Sequence, residues 1–297
     1  MGLMRFTGPD ALSFLQGQLS NDTRRLEEGS PLLAAYSTPQ GRVAALVHVL
    51  PYSGGAIAIL PREILLPTLE RLRKFVLRAK VSAQDVSEQY ALIGLHDPDG
   101  LRSAGLGIPD AETGYLEQAG IGIGRVSSRS SRHWVIGSTA DLAKHRLAGD
   151  TSGDERDAQR IEHDWRLADV AEGLPQIYAA TREMFVAQML NLDLIDGISF
   201  TKGCFTGQEI IARTQHLGRI KRRMFRLLLP AGPWAIGQAV HLGDGRAGRL
   251  TEVVSAGEEF EALAVLSLEA SAPEADAPAD TVAARELPLP YSPAQSA

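Results

Sequence analysis

The stretch Thr201-Lys202-Gly203-Cys204-Phe205-Thr206-Gly207-Gln208-Glu209-Ile210-Ile211-Ala212-Arg213 holds the only cysteine of the chain. Gly203 and Gly207 flank the sulfur, and glycine tolerates backbone geometries and close approaches that other residues resist. A thiol acts as a nucleophile or metal ligand only as thiolate, a form favoured by a nearby lysine or a helix N-terminus. Lys202 supplies the first. The run Gly207-Gln208-Glu209 ahead of Ile210, Ile211 and Ala212 predicts the second, with Glu209 in the opening turn. A plainer reading uses the same residues, because a lone cysteine also serves as a small buried hydrophobe and Glu209 as an ordinary helix-terminus carboxylate. On the residues alone both readings stand.

Around this stretch lie 297 residues, enough for about two domains and a substantial core. A hydrophobic fraction of 44% and a charged fraction of 22% are those of an ordinary soluble globular protein. The net charge of −6 gives no global reason to expect nucleic-acid binding. One cysteine excludes an internal disulfide, and also an iron–sulfur cluster held by this chain alone, since such clusters take about four cysteine ligands. The histidines (His48, His96, His133, His145, His163, His216, His241) are scattered without metal-ligand spacing. No apolar run follows a basic segment at the start, and none approaches the ~20 residues of a membrane span. A cytoplasmic, reducing location is expected, with no signal peptide and no membrane partner.

In chain order, Thr7-Gly8-Pro9-Asp10 predicts a helix start, with Thr7 as cap and Pro9 in the first turn. Ala11, Leu12, Phe14, Leu15 and Leu19 follow at helical spacing. Residues 32–36 and 43–50 read as strands around a turn at 37–41, and 56–60 completes a hairpin. From Pro61 a helix is predicted, with Ile64, Leu65, Leu69, Leu72, Phe75 and Val76 on its apolar face. Its other face carries Arg71, Arg73, Lys74, Arg78 and Lys80, read as solvated charge. Strands are predicted at 81–86, 90–95 and 134–136. Between them, 96–131 reads as a Gly/Ser/Pro-rich stretch in which Gly120, Gly122 and Gly124 alternate with isoleucine. That spacing is not a dinucleotide fingerprint. A helical piece at 141–147, a polar loop at 149–157, a helix at 161–171 with Trp165 in its middle and a second helix at 185–194 lead to the cysteine stretch. Beyond it, a spacer at 215–219 reads as a domain crossing and Arg219, Lys221, Arg222, Arg223 and Arg226 crowd together. Strand-like runs at 225–229, 238–242, 249–254 and 263–268, with an Asp244-Gly245 turn, then predict a small barrel or sandwich, and 273–280 an acidic loop.

The run Lys202-Gly203-Cys204-Phe205-Thr206-Gly207-Gln208-Glu209, with Ala212-Arg213 after it, resembles the signature of the YgfZ family of folate-binding proteins, relatives of the glycine-cleavage aminomethyltransferase. The resemblance extends over nearly the whole chain. It takes in Ala11-Leu12-Ser13-Phe14-Leu15-Gln16-Gly17-Gln18-Leu19-Ser20-Asn21-Asp22, Thr38-Pro39-Gln40-Gly41-Arg42 and Gly173-Leu174-Pro175-Gln176-Ile177. Phe185-Val186-Ala187-Gln188-Met189-Leu190-Asn191-Leu192 and Leu287-Pro288-Leu289-Pro290-Tyr291-Ser292 complete it. It implies an α+β fold: two intertwined folate-binding, aminomethyltransferase-like subdomains (residues 1–215) and a C-terminal β-barrel (216–297) in a ring-like arrangement. It further implies tetrahydrofolate, or a one-carbon derivative, as cofactor. The implied partners are iron–sulfur proteins or cluster-assembly factors, with an indirect link to transfer-RNA modification.

By the same resemblance Cys204 is the functional thiol, as a transient iron ligand or redox-sensitive group and not a resident metal site. Lys202, Gly203, Phe205, Gly207, Gln208, Glu209 and Arg213 form the motif around it. Trp165 is implied as a folate contact, an aromatic face against a flat pterin, with Gln18 and Asn21 beside it in the binding set. Phe205 stands where Tyr is commoner, and Ala187 replaces a Pro. A second folate-contacting Trp of some members falls at about Met1, so that contact is expected to be absent. Ala45 and Leu46 occupy the places of the aspartate pair of the aminomethyltransferases, leaving no carboxylate to steer a proton. Standard aminomethyl transfer is therefore not expected. The leading function is a folate-dependent accessory factor for iron–sulfur proteins. The alternatives are a one-carbon transferase acting on protein or transfer RNA, and a scaffold that binds no folate.

Overall fold

The computed structural model describes the chain except residues 111, 113, 146, 148–154, 217, 274–275, 277–280 and 294–297. The chain divides into two units. The first comprises Met1–Tyr36, Ala45–Arg160 and Gly197–Thr206, the second Ser37–Ala44, Ile161–Asp196 and Gly207–Ala297.

In the first unit, β1 (Gly2–Thr7), α1 (Ala11–Gln18), α2 (Arg24–Glu27), β2 (Leu32–Ser37), β3 (Val43–Tyr52), β4 (Gly55–Leu60), α3 (Arg62–Arg73) and β5 (Ser82–Asp85) follow one another. Their strands form one sheet in the order β2-β3-β4-β1-β5. Side chains along a strand alternate between faces, so the unbroken burial from Val43 to Leu50 places β3 between two covered faces. Ile64, Leu65, Leu69 and Leu72 bury one stripe of α3, each contributing roughly 2 kcal/mol. β6 (Ala91–Leu95), α4 (Asp99–Ser103), β7 (Tyr115–Gln118), β8 (Ile121–Arg125), β9 (His133–Gly137) and α5 (Thr139–Lys144) follow, with a second sheet in the order β6-β9-β8-β7.

Several expectations change here. Thr7 ends a strand and caps no helix; α1 begins at Ala11, and the Asp10 carboxylate instead accepts the Lys80 N–H at 2.6 Å. Glycine-rich composition hid β7 and β8 within 96–131. Two of the alternating glycines there, Gly122 and Gly124, are packing residues. A Cβ on Gly124 would stand 2.3 Å from Leu50 Cδ2, and one on Gly122 2.8 Å from Tyr52 Cδ2. Phe75 and Val76 lie beyond the end of α3, with Phe75 exposed.

His48, on β3, is buried edge-on to Trp134 with ring centroids 6.0 Å apart. Burial, assisted by the Arg132 charge, pushes its pKa down to about 4. The unfolded chain takes up a proton near pH 6.5 while the folded chain does not, so stability falls as pH drops from about 6.5 to about 4. The expected loss is about 3 kcal/mol. Urea unfolding of wild type and His48→Leu at pH 7 and pH 4 checks this. An equal loss in the variant would assign the pH dependence to other groups.

In the second unit, α6 (Glu155–Glu172), two 3-10 turns (Ala179–Thr181 and Ala187–Leu190), α7 (Gln208–His216), β10 (Arg222–Leu229), β11 (Ala239–His241), β12 (Ala247–Ala256), β13 (Glu259–Ser267) and β14 (Arg285–Leu287) follow in order. The strands make an antiparallel sheet, β11-β12-β13-β10-β14, over a core that includes Leu227, Val240, Leu250 and Leu266. A single parallel bridge, Leu242 to Val282, joins the margins near β11 and β14, and among the described residues no ladder closes the sheet into a barrel.

The helix expected at 185–194 is only the short turn Ala187–Leu190. Its entry is extended, because Val43 N–H donates to Phe185 O and Glu183 N–H to Val43 O; its exit is blocked by Asn191 at φ +58°. The polar loop expected at 149–157 lies outside the described residues up to 154, and from Glu155 it is helix. Most of the acidic loop at 273–280 also lies outside them. The basic run after α7 is not one charged face. Arg223 is fully buried against Asp193, Arg226 pairs with Glu261, and Arg219 pairs with Glu269.

Candidate functional site

In the first unit the cysteine loop is fastened to the end of α1. Three carbonyls there, Gln16 O, Leu19 O and Asn21 O, accept from Lys202 Nζ at 2.7, 2.6 and 2.8 Å. An ammonium has three N–H donors, so all of them are committed to the helix end and none is left for the thiol. Helix C-termini carry orphan carbonyls and partial negative charge, and the lysine answers both. Burial lowers its pKa to about 8, partly opposed by Asp22, so the three-donor form prevails at neutral pH. Thr206 N–H adds a bond to Gly17 O, and the Phe205 ring stands 4.9 Å from Nζ. Between the buried Lys202 and Phe205, Gly203 and Cys204 are exposed. Two buried anchors thus hold a short arch whose outermost side chain is the thiol.

Gln18 and Asn21 end the same helix differently. Asn21 is buried, with Nδ2 donating to Leu33 O and Oδ1 accepting from Asp22 N, so its amide is turned into the fold. Gln18 keeps a buried Oε1 with no hydrogen-bond partner among the described residues. Ala45 and Leu46 are wholly buried on β3 and offer no titratable group.

The second unit gathers the remaining motif blocks. Gly207, at φ +83°, packs on the 38–41 turn: a Cβ there would meet Thr38 O at 2.6 Å. Gly41, at φ +71°, answers from the turn, since a Cβ would meet Ile210 Cβ at 2.7 Å. From the 3-10 turn, Gln188 Nε2 donates to Ile211 O of α7, and Asn191 Nδ2 to Met224 O of β10. Tyr291 of the tail donates its hydroxyl to Gly173 O at 2.7 Å. Gln208 is half-buried at the start of α7, while Glu209 and Arg213 are exposed along it.

Trp165 is buried on α6, and that helix is tied to β12 on both sides of it. His163 Nε2 lies 2.8 Å from Ser255 O, and Arg166 donates to Val253 O and to the buried Glu252, which also accepts the Tyr178 hydroxyl. Sequence reasoning missed Glu252, because an acid inside a strand pattern carries no burial signal. It also passed over Gln176, quoted only as part of a block; the side chain is buried and its Oε1 has no partner among the described residues. No cluster of three or more His, Cys, Asp or Glu side chains gathers among the described residues.

No family model matches the chain. A tRNA-modifying protein YgfZ of Colwellia psychrerythraea is 31% identical over 231 residues, covering 76% of this chain and 68% of the relative. The chain belongs to the YgfZ family. Another YgfZ, from Hamiltonella defensa, is 28% identical over 249 residues, 82% of this chain and 70% of that protein. Among solved structures, the glycine cleavage system aminomethyltransferase T of Bartonella henselae superposes with a TM-score of 0.62 over 90% of this chain and 76% of its own, at 16% identity. The aminomethyltransferase-like α+β fold expected from the YgfZ motif is therefore present. No helix among the described residues is long and apolar enough to cross a membrane.

Proposed function

We propose that this chain is a folate-binding accessory protein in transfer-RNA modification, acting through iron–sulfur enzymes or their assembly factors. The observation that carries the reading is the cysteine arch, which holds one exposed thiol between two buried anchors. A thiol so presented suits transient contact with a partner's iron or disulfide, and among the described residues no cluster of three or more His, Cys, Asp or Glu side chains gathers around it. The names of the family relatives support the transfer-RNA link. Residues 1–215 are the proposed folate-binding region and 216–297 the proposed C-terminal module.

The second unit has side chains suited to tetrahydrofolate. Trp165 is a buried aromatic ring of the kind that stacks on a flat pterin, and Gln176 Oε1 is a buried acceptor with no hydrogen-bond partner among the described residues. Gln18 Oε1 is a further acceptor in the first unit. Bound folate would supply a one-carbon group or a reduced pterin; in the second unit Trp165 and Gln176 would bind and orient it. With Ala45 and Leu46 on β3, the chain has no carboxylate at those places to move a proton, which favours the accessory role over aminomethyl transfer.

Calorimetry with tetrahydrofolate and 5-formyltetrahydrofolate tests the reading. Trp165→Ala is expected to weaken binding about tenfold or more, and Trp165→Phe to recover part of it. Melting curves separate that loss from unfolding. No binding by wild type at millimolar folate would sink the folate half of the proposal.

A further inference from the structure

Residues 71–80 read Arg-Leu-Arg-Lys-Phe-Val-Leu-Arg-Ala-Lys, with five cations and no acid, in a chain of net charge −6. α3 ends at Arg73, and the backbone runs without regular structure to β5. The loop is nonetheless pinned at both ends. Arg73 donates Nε and Nη2 to Ala83 O at 3.0 and 2.7 Å, and Lys80 N–H donates to the Asp10 carboxylate. Between the pins Lys74, Phe75, Leu77, Arg78 and Lys80 are all exposed, Phe75 by 45% and Leu77 by 85%. Among the described residues, no ion pair engages Lys74, Arg78 or Lys80.

Solvation accounts for the lysines and arginines but not for Phe75 and Leu77 standing in water between them. A protein interface centre disfavours lysine, whereas a phosphate backbone recruits it by counterion release. An aromatic ring among such cations matches the platforms on which unpaired bases stack. We infer that the 73–80 loop is a contact surface for single-stranded RNA, with phosphates on Lys74, Arg78 and Lys80 and a base against Phe75. This goes beyond the folate reading and does not depend on it.

The test is fluorescence anisotropy with an unmodified transfer-RNA transcript and with an unstructured oligouridylate, using the full chain without folate across a salt series. Wild type is expected to bind both. The triple variant Lys74→Glu/Arg78→Glu/Lys80→Glu should bind at least about tenfold more weakly, with a log–log salt slope shallower by about 2. Phe75→Ala, which keeps every charge, should weaken binding about tenfold with the slope unchanged. Melting temperatures equal to wild type establish that both variants are folded. Absence of wild-type binding at low salt would overturn the inference, as would binding indifferent to either variant. Equal affinity for polyglutamate, lost in Phe75→Ala, would also overturn it by reassigning the loop to an acidic polypeptide.

Discussion

Replacing Asp193 by alanine should destabilise the fold by about 3–5 kcal/mol, lowering Tm by roughly 10 °C. Asp193 and Arg223 form a fork-to-fork pair, Nη1 to Oδ1 at 2.6 Å and Nη2 to Oδ2 at 2.8 Å, with the arginine fully buried. Arg223 Nη1 also donates to Gln188 O, so one guanidinium joins β10 to the turn that carries Gln188 and Asn191. Removing the carboxylate strands a buried cation, and that uncompensated charge, more than the lost hydrogen bonds, sets the cost. The double variant Asp193→Leu/Arg223→Met removes both charges and should recover much of the loss. Urea unfolding measures all of these. A loss below about 1 kcal/mol in Asp193→Ala would mean that water reaches the site and that the pair is no buried anchor.

The second large effect is expected from Lys202→Met. Methionine approximates the stem of lysine but has no donors, so Gln16 O, Leu19 O and Asn21 O lose their shared partner together. An unsatisfied buried carbonyl costs about 1–3 kcal/mol, and water recovers part of that at the rim, giving an expected loss of about 2–4 kcal/mol. The cysteine arch should also lose its anchor. Thiol labelling of Cys204 by a maleimide should therefore change in rate, and amide exchange at 202–206 should speed up even under conditions where the rest of the unit stays protected. Lys202→Arg is a further probe, because a planar fork cannot reproduce three converging N–H groups. If Lys202→Met left both exchange and labelling at wild-type rates, the arch would be held by Thr206 and Phe205 instead.

Much of this was legible in the residues. Apolar runs, hydrophobic period and turn residues marked β3, the β3–β4 hairpin, the buried stripe of α3 and the strands β10 to β13, because a continuous apolar run or 3.6-residue burial leaves its trace in any single segment. The run around Cys204, with its ordered flanking blocks, was specific enough to point to the YgfZ family and its aminomethyltransferase-like fold. What the sequence could not carry was the partner of each polar group. Lys202 beside a cysteine suggests thiolate stabilisation, yet its donors go to carbonyls some 180 residues away in the chain. Arg223 sits in a run of five crowded cations, yet it is buried, because the acid that neutralises it comes from another segment. Gly122 and Gly124 look like loop residues until Leu50 and Tyr52 are seen packed on them. In each case local pattern reports only whether a residue faces inward or outward. What it faces is set by long-range contacts between distant segments, and those exist only once the chain has folded.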